Sequence, residues 1–459
     1  MPGPVASENT PLLNPPVPRI EEPSDEMPDS GNALLIFWEE LRILTRYALP
    51  VFGTHILEFS LIMSSVISIG HLSTTALAAI SLGSMTANVT AFSVIQGFAS
   101  ALDTMLPSAW TSTQPHLVGL WTQRMVVVQG FLLIPMYFVW FNAEGILLSL
   151  KQDPEVARLA AIYLRWVSMG LPAYAFNCAS PDDATSSETR RYFQSQAYGV
   201  IYVPRTAWYP LSRRMFTSLG VLVQLGLAGV GQTASEWWAW ELVALAASLI
   251  GPVALATQSV LLVSASTTFQ APFALSVATS VRIGNLLGEG KAQRAGIASN
   301  TSILMALALS AASSAMFLIF RNSWAYIFNN DPEVVTLVAS IIPLVALFQV
   351  FDGNAAVTAG ILRARGKQVT GALLNLSSYY IFGIPFGMYL TFSRDMKLHG
   401  LWIGLTVSLV YCAFFGTLLC LRTDWNREVW KVMQRLKEDD KAHRHQLQVD
   451  AENGVAQQS

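Results

Sequence analysis

Runs of about twenty apolar residues recur along this chain, and no other feature limits its fold as strongly. A helix needs roughly 20 such residues to cross a bilayer. Runs of that length lie at 48–69, 79–104, 124–143, 156–177, 220–250, 253–280, 296–320, 334–360, 370–392 and 399–421. They predict an all-α integral membrane protein with about ten spanning helices. Water-facing charge is scarce to match: 13% of the 459 residues are charged and 52% hydrophobic, with a mean hydropathy of +0.42. Soluble domains carry about 25% charged residues. A net charge of −2 offers no basic field for nucleic acid. Cys178, Cys412 and Cys420 form no CxxC pair and sit in apolar stretches, so neither a disulfide nor a metal site is expected.

The connections set the expected orientation. Lys and Arg gather on one side, in Arg42 and Arg46, Arg124, Arg190 and Arg191, Arg282, Lys291 and Arg294, and Arg363, Arg365 and Lys367. The opposite connections hold none at 70–78 and 251–256 and one or two in each of the other three. Positive charge stays on the cytosolic side, which predicts that both termini are cytosolic. Residues 1–40 open without a secretory signal and read as a disordered cytosolic arm, its first thirty residues rich in Pro, Glu, Asp and Ser. Residues 425–459 read as a cytosolic tail. Within it, Trp425, Val429, Met433 and Leu436 fall on one helical face, fitting either a short interfacial helix or a solvated one.

The chain also repeats itself. "QDPEVARLAAIYLRWV" (152–167) is echoed by "NDPEVVTLVASIIPLV" (330–345), and "HLVGLWTQRM" (116–125) stands opposite "QRAGIASNTS" (293–302). Both matches run in the same direction, so two pseudo-symmetric helical bundles are expected, as in secondary transporters. The N-lobe would cover 41–216 and the C-lobe 217–424, with about four and six helices. The imbalance comes from 178–216, which is polar and broken by proline where the second half has two apolar runs.

Against this apolar background, the ionisable residues stand out. Glu58, Glu236, Glu241 and Asp352 lie in spanning runs, with Asp103 near a helix end. A carboxylate at membrane depth costs several kcal/mol unless neutralised, paired or hydrated. One that can be either neutral or charged in a cavity suits exchange of a proton against a cation. Glu236 and Glu241 are five residues apart, so they point roughly 140° apart and should have different neighbours. Trp237, Trp238 and Trp240 sit mid-run between and beside them, and aromatic faces next to anions suit flat organic cations. An interfacial aromatic belt is the plainer reading of the same residues. No soluble-enzyme signature is present. "GNLLGEGKA" (284–292) has its lysine too late for a phosphate loop and Ala292 where a hydroxyl is needed.

"GQTASEWWAWELVALAASLIG" (231–251), "SVATSVRIGNLLGEG" (276–290) and "FDGNAAVTAGILRARGKQ" (351–368) resemble helices seven, eight and ten of the multidrug and toxic compound extrusion (MATE) family, eukaryotic branch. "SIGHLSTTALAAISL" (68–82) and "GFASALDTMLPSAW" (97–110) resemble its first two helices, and "THILEFSL" has a fungal flavour. The resemblance covers roughly 40–177 and 219–425. It implies twelve helices in two six-helix lobes, and export of organic cations or drugs driven by an inward proton gradient. By that resemblance Glu236, Glu241 and Asp352 are the proton-coupling acids. Trp237, Trp240, Asn88, Glu58 and His55 are expected to face the substrate. His55 stands where relatives often have glutamine, and Val263 replaces an acid of animal members.

The expected partners are small organic cations or drugs, the proton and the lipid bilayer, with no cofactor and no nucleic acid. The chain is expected to act as a monomer. Two other readings remain open: a transport-inactive chain whose N-lobe lacks two helices through mis-splicing, and a lipid or precursor flippase of the same architecture. Glu8 followed by Leu12 and Leu13 has the spacing of an acidic dileucine signal, which points to vacuolar or endosomal membranes, with the plasma membrane as the alternative.

Overall fold

The computed structural model describes residues 32–70, 82–110, 117–149, 154–179, 213–328 and 331–434, and among these every regular element is helical. Most of the polar stretch 178–216, the dileucine segment and Leu436 lie outside the described residues.

The first helix, α1 (Ala33–Gly70), starts fifteen residues ahead of the apolar run predicted at 48. Asn32 caps it, its Oδ1 accepting from the Leu34 N–H at 3.1 Å. Ile36, Glu40, Leu44 and Tyr47 recur every three or four residues and are all buried, so they form one continuous face. A carboxylate in that stripe is what hides the extension from an apolar count.

The second helix, α2 (Leu82–Pro107), passes through a π turn at Asn88–Phe92. Thr86 and Thr90 donate their hydroxyls to carbonyls four residues back, at 2.8 and 2.6 Å. Trp140 donates Nε1 to Thr90 Oγ1 at 2.8 Å and so anchors the turn to α3 (Leu117–Phe141). The run expected at 156–177 divides into α4 (Pro154–Ser168) and α5 (Leu171–Ala179). Pro172 supplies no backbone donor there and disfavours helical geometry at the residue before it.

The longer helices follow. The 32-residue α6 (Leu219–Ile250) and 37-residue α7 (Pro252–Gly288) meet at Gly251 alone. Its φ of +137° is open only to glycine at low cost, and Pro252 starts the next helix without needing a donor. Then come α8 (Ala292–Ile319) and α9 (Pro332–Ala364). Asp331 caps α9 by accepting from the Glu333 N–H at 2.9 Å, which is the physical content of the "DPEV" motif. A tenth helix, α10 (Gln368–Leu376), continues through π turns at Ser377–Gly383 and Tyr389–Ser393 on either side of Ile384–Met388. The last long helix is α11 (Lys397–Leu421).

The ten predicted runs fall on described helical segments, except that residues 79–81 of the second lie outside the described residues. Among the described residues, six helices are long and apolar enough to cross a membrane by themselves: Leu82–Pro107, Leu117–Phe141, Val253–Gly288, Ala292–Ile319, Pro332–Ala364 and Lys397–Leu421.

Packing follows the duplication. Helix α1 packs on α7, and α6 packs on α2, so the first helix of each half lies on the second helix of the other. Phe98, Met105, Trp121 and Leu222 form one core, and Ile95, Trp140, Leu164 and Leu171 another. On the C-terminal side, Ile341, Phe348, Tyr379 and Trp402 form a third core, and Leu44, Ile283, Val357 and Ile361 a fourth. The tail forms a helix over 425–434 and turns its apolar face onto the protein. Trp425, Val429 and Val432 join the fourth core, and the Arg365 guanidinium lies 5.7 Å from the Trp425 ring centre. Of the face read from the sequence, Trp425 and Val429 meet protein where a membrane surface or water was expected.

Candidate functional site

The site is built on α6, and glycines decide how near α2 can come. A Cβ added to Gly97 of α2 would stand 2.5 Å from Val230 Cα and 2.7 Å from Val230 N, so the two helices touch backbone to backbone. From that contact the helices run antiparallel, and three turns further along α6 they bring Trp238 and Glu241 against the π turn of α2. Trp238 donates Nε1 to the Val89 carbonyl at 3.1 Å. Asn88 donates Nδ2 to Glu241 Oε1 at 3.4 Å. A π turn widens the helix and shifts its hydrogen-bond register, which presents Asn88 and the Val89 carbonyl to a neighbour.

Glu236 looks the other way, as the five-residue spacing requires. It lies within Coulombic reach of Asp352 on α9, of Tyr379 and Cys412, and of Arg363 at the end of α9. Asp352 is buried, at 6% exposure. Arg363 is committed elsewhere: its Nε donates to Asp103 Oδ2 at 2.9 Å and its Nη2 to Ser276 Oγ at 3.1 Å. The structure therefore places two acidic positions on α6, one facing α2 and one facing Asp352, and they do not form a single close pair.

The tryptophans divide similarly. Trp240 meets Phe348 and Trp402 edge-on, with ring centres 5.6 and 5.9 Å away, and belongs to the third core. Trp402 is fixed in turn by donating Nε1 to Gln258 Oε1 at 2.9 Å. Trp238 spans to α2, and Trp237 is half-buried beside Glu236. His55 of α1 lies edge-on to Phe273 of α7, 5.0 Å between ring centres. The Glu58 side chain lies outside the described residues.

Sequence reasoning passed over three residues at this site. Tyr380 donates its hydroxyl to the Ser235 carbonyl at 3.0 Å, one residue before Glu236. Asn375 donates to the Gln232 carbonyl at 2.8 Å, one turn earlier on α6. Tyr379 is buried next to both, within reach of Glu236 and Asp352. Polar and hydroxyl-bearing side chains in "NLSSYY" (375–380) were the available signal.

A family model described as MatE matches residues 50–181 and again 230–389, which together make up more than half of the chain. The chain belongs to the MATE family. An uncharacterized transporter of Schizosaccharomyces pombe is 34% identical over 437 residues, covering 86% of this chain and 81% of its own length. Multidrug and toxin extrusion protein 2 of Mus musculus is 31% identical over 432 residues, covering 84% and 75%. The crystal structure of the eukaryotic MATE transporter AtDTX14 superposes with a TM-score of 0.78 at 26% identity, covering 87% of this chain and 99% of that one. The resemblance drawn from the helix motifs, with its fungal flavour, is thereby borne out. As a member of the MATE family, this multi-pass membrane protein is a transporter of small organic substrates and not an enzyme. The doubled match to one family model gives the repeat its identity, and the break between 181 and 230 falls over the polar stretch.

Proposed function

We propose that this MATE chain exports organic cations or drugs in exchange for protons, with Glu236, Glu241 and Asp352 carrying the exchange. The observation that carries this reading is the placement of Glu236 within Coulombic reach of a buried Asp352, while Arg363, the basic group acting on it, is already bonded to Asp103. Two like charges brought together out of water repel, and the binding of one proton or one cation relieves the repulsion. A site that must be neutralised, and can be neutralised by either, couples the two by competition. Glu241 joins this set through Asn88, which ties it to α2 and so senses how the two bundles sit.

Asn88 and Trp237, with His55 and Glu58 from α1, are the proposed substrate contacts. Trp240, edge-on to Phe348 and Trp402, is proposed as a further contact from its place on the same helix. Both termini are assigned to the cytosol from the charge bias, and the chain to a vacuolar or endosomal membrane from the dileucine spacing, with the plasma membrane as the alternative. The second reading, a chain that does not transport, draws on the break in the family match between 181 and 230.

Tracer efflux from proteoliposomes with an imposed pH gradient separates the two. Antiport predicts gradient-driven efflux of a cationic tracer that falls at least tenfold in Glu236→Gln and in Asp352→Asn. Flux that ignores the gradient and survives both substitutions would refute the assignment, and no flux at all would support the inactive reading.

A further inference from the structure

Three charged side chains lie fully inside the protein far along α1 from the carboxylates, and transport as described above gives them no role. Glu40 and Arg282 are 0% exposed and Arg294 is 1% exposed. Arg282 of α7 grips Glu40 with both arms, Nε to Oε2 at 2.7 Å and Nη2 to Oε1 at 2.8 Å. Arg294 of α8 adds Nε and Nη2 to the same Oε1 at 3.1 and 2.9 Å, and reaches the half-exposed Glu39 at 2.9 Å. The Asp103–Arg363 pair sits at the same end of the helices, joined there by Gln368, which donates to Thr104 Oγ1 at 2.7 Å. Every ion pair described between the first two helices and α7–α9 lies at this end, where α1 and α8 begin and α2, α7 and α9 finish.

We propose that the Glu40–Arg282–Arg294 clamp, backed by Asp103–Arg363, is a gate that closes this end of the molecule and parts each time the end opens. Full burial of ion pairs is a weak device for plain stability, since apolar residues of the same volume often do as well or better. At a surface that must open, the comparison reverses. An apolar seam would expose its area to water on separating, whereas carboxylates and guanidiniums exchange their mutual hydrogen bonds for hydration. Glu39, half in solvent at the rim, is where water first reaches the clamp. Beside the clamp, Leu44 packs into the fourth core with Leu275 and Ile283, Tyr47 shares a small cluster with Ala278, and His55 meets Phe273 further along α1. The gate rests on the transporter reading only in that a gate implies a cycle.

Two measurements test it. Spin labels on the exposed positions Arg42→Cys and Gln293→Cys, in a background without the three native cysteines, report the separation of α1 and α8 in liposomes. The gate predicts two distances, with the longer one enriched at least tenfold by Glu40→Gln and returned toward the starting ratio by Glu40→Asp. Should Glu40→Gln fail to fold, Asp103→Asn carries the same comparison. A single distance, indifferent to these substitutions, would overturn the proposal whether or not the protein transports. The second measurement is a reversible disulfide between Tyr47→Cys and Ala278→Cys. Oxidation should cut gradient-driven flux at least tenfold and reductant should restore it. A cross-linked protein that transports as fast as its dithiol form would show that α1 stays fixed to α7 throughout and overturn the gate. If the unsubstituted protein carries no flux at all, the antiport reading fails and the distance measurement still decides the gate.

Discussion

Substituting Gly97 by alanine adds one methyl group where α2 and α6 touch. The new Cβ would stand 2.5 Å from Val230 Cα and 2.7 Å from Val230 N, whereas ordinary contact begins near 3.4 Å. Both obstructing atoms are backbone, so no rotamer can yield and the helices must separate by about 1 Å at the crossing. Overpacking of this kind costs about 1–3 kcal/mol. Alanine returns about 0.5–1 kcal/mol through its better helix propensity. The net is a destabilisation of about 1–2 kcal/mol. The control is Gly130→Ala in α3, where the added Cβ meets nothing within 4 Å and only the propensity gain of about 0.5–1 kcal/mol remains. The two substitutions are chemically identical and should move the melting temperature of the purified protein in opposite directions, read by heating in detergent followed by size exclusion. Gly97→Ala should also loosen the Trp238–Val89 and Asn88–Glu241 contacts that lie further along the same pair of helices. Equal shifts at the two glycines, or stabilisation at Gly97, would refute the backbone contact on which the site is built.

Other substitutions test individual supports. Asp331→Ala removes the cap of α9 and should cost about 1 kcal/mol, seen as a lower melting temperature with the site intact. Gly251→Ala forces a side chain into φ +137° at the junction of α6 and α7, and should lower the yield of folded protein by strain of about 1–3 kcal/mol. Trp402→Phe leaves buried Gln258 Oε1 without its donor, at about 1–3 kcal/mol, seen as a lower melting temperature. Asn88→Leu should weaken transport through Glu241 and leave thermal stability within about 1 kcal/mol, because at 3.4 Å the lost bond is long.

The fold was legible wherever apolarity alone decides it. The ten runs gave the helices, and the paired "DPEV" motifs pointed to the duplication; in the second of them Asp331 caps α9, a local signal that needs no distant contact. What stayed hidden depends on contacts distant in sequence. Glu40 reads as the acidic edge of a polar arm until Arg282 and Arg294 are brought to it. The docking of the tail depends on Arg365 and the fourth core rather than on the tail's own pattern. At the site, the five-residue spacing of Glu236 and Glu241 correctly separates their neighbours, since helix geometry fixes angle. It says nothing of which partner each finds: Asn88 arrives through a π turn, and Tyr379 through a helix with two π turns, neither of which leaves a periodic mark. The tryptophan triplet likewise looked uniform, although helix rotation sends Trp240 to the core and Trp238 to α2.

Direct observation of proton movement bears most closely on the account. Vesicles containing the protein and an entrapped pH dye, given no starting pH gradient, are offered a permeant-free organic cation on one side. Exchange through Glu236 predicts that cation uptake drives proton efflux from the vesicle lumen, that the lumen becomes more alkaline, and that Glu236→Gln abolishes the change. Cation uptake with no change in lumenal pH, or an equal change in Glu236→Gln, would contradict it.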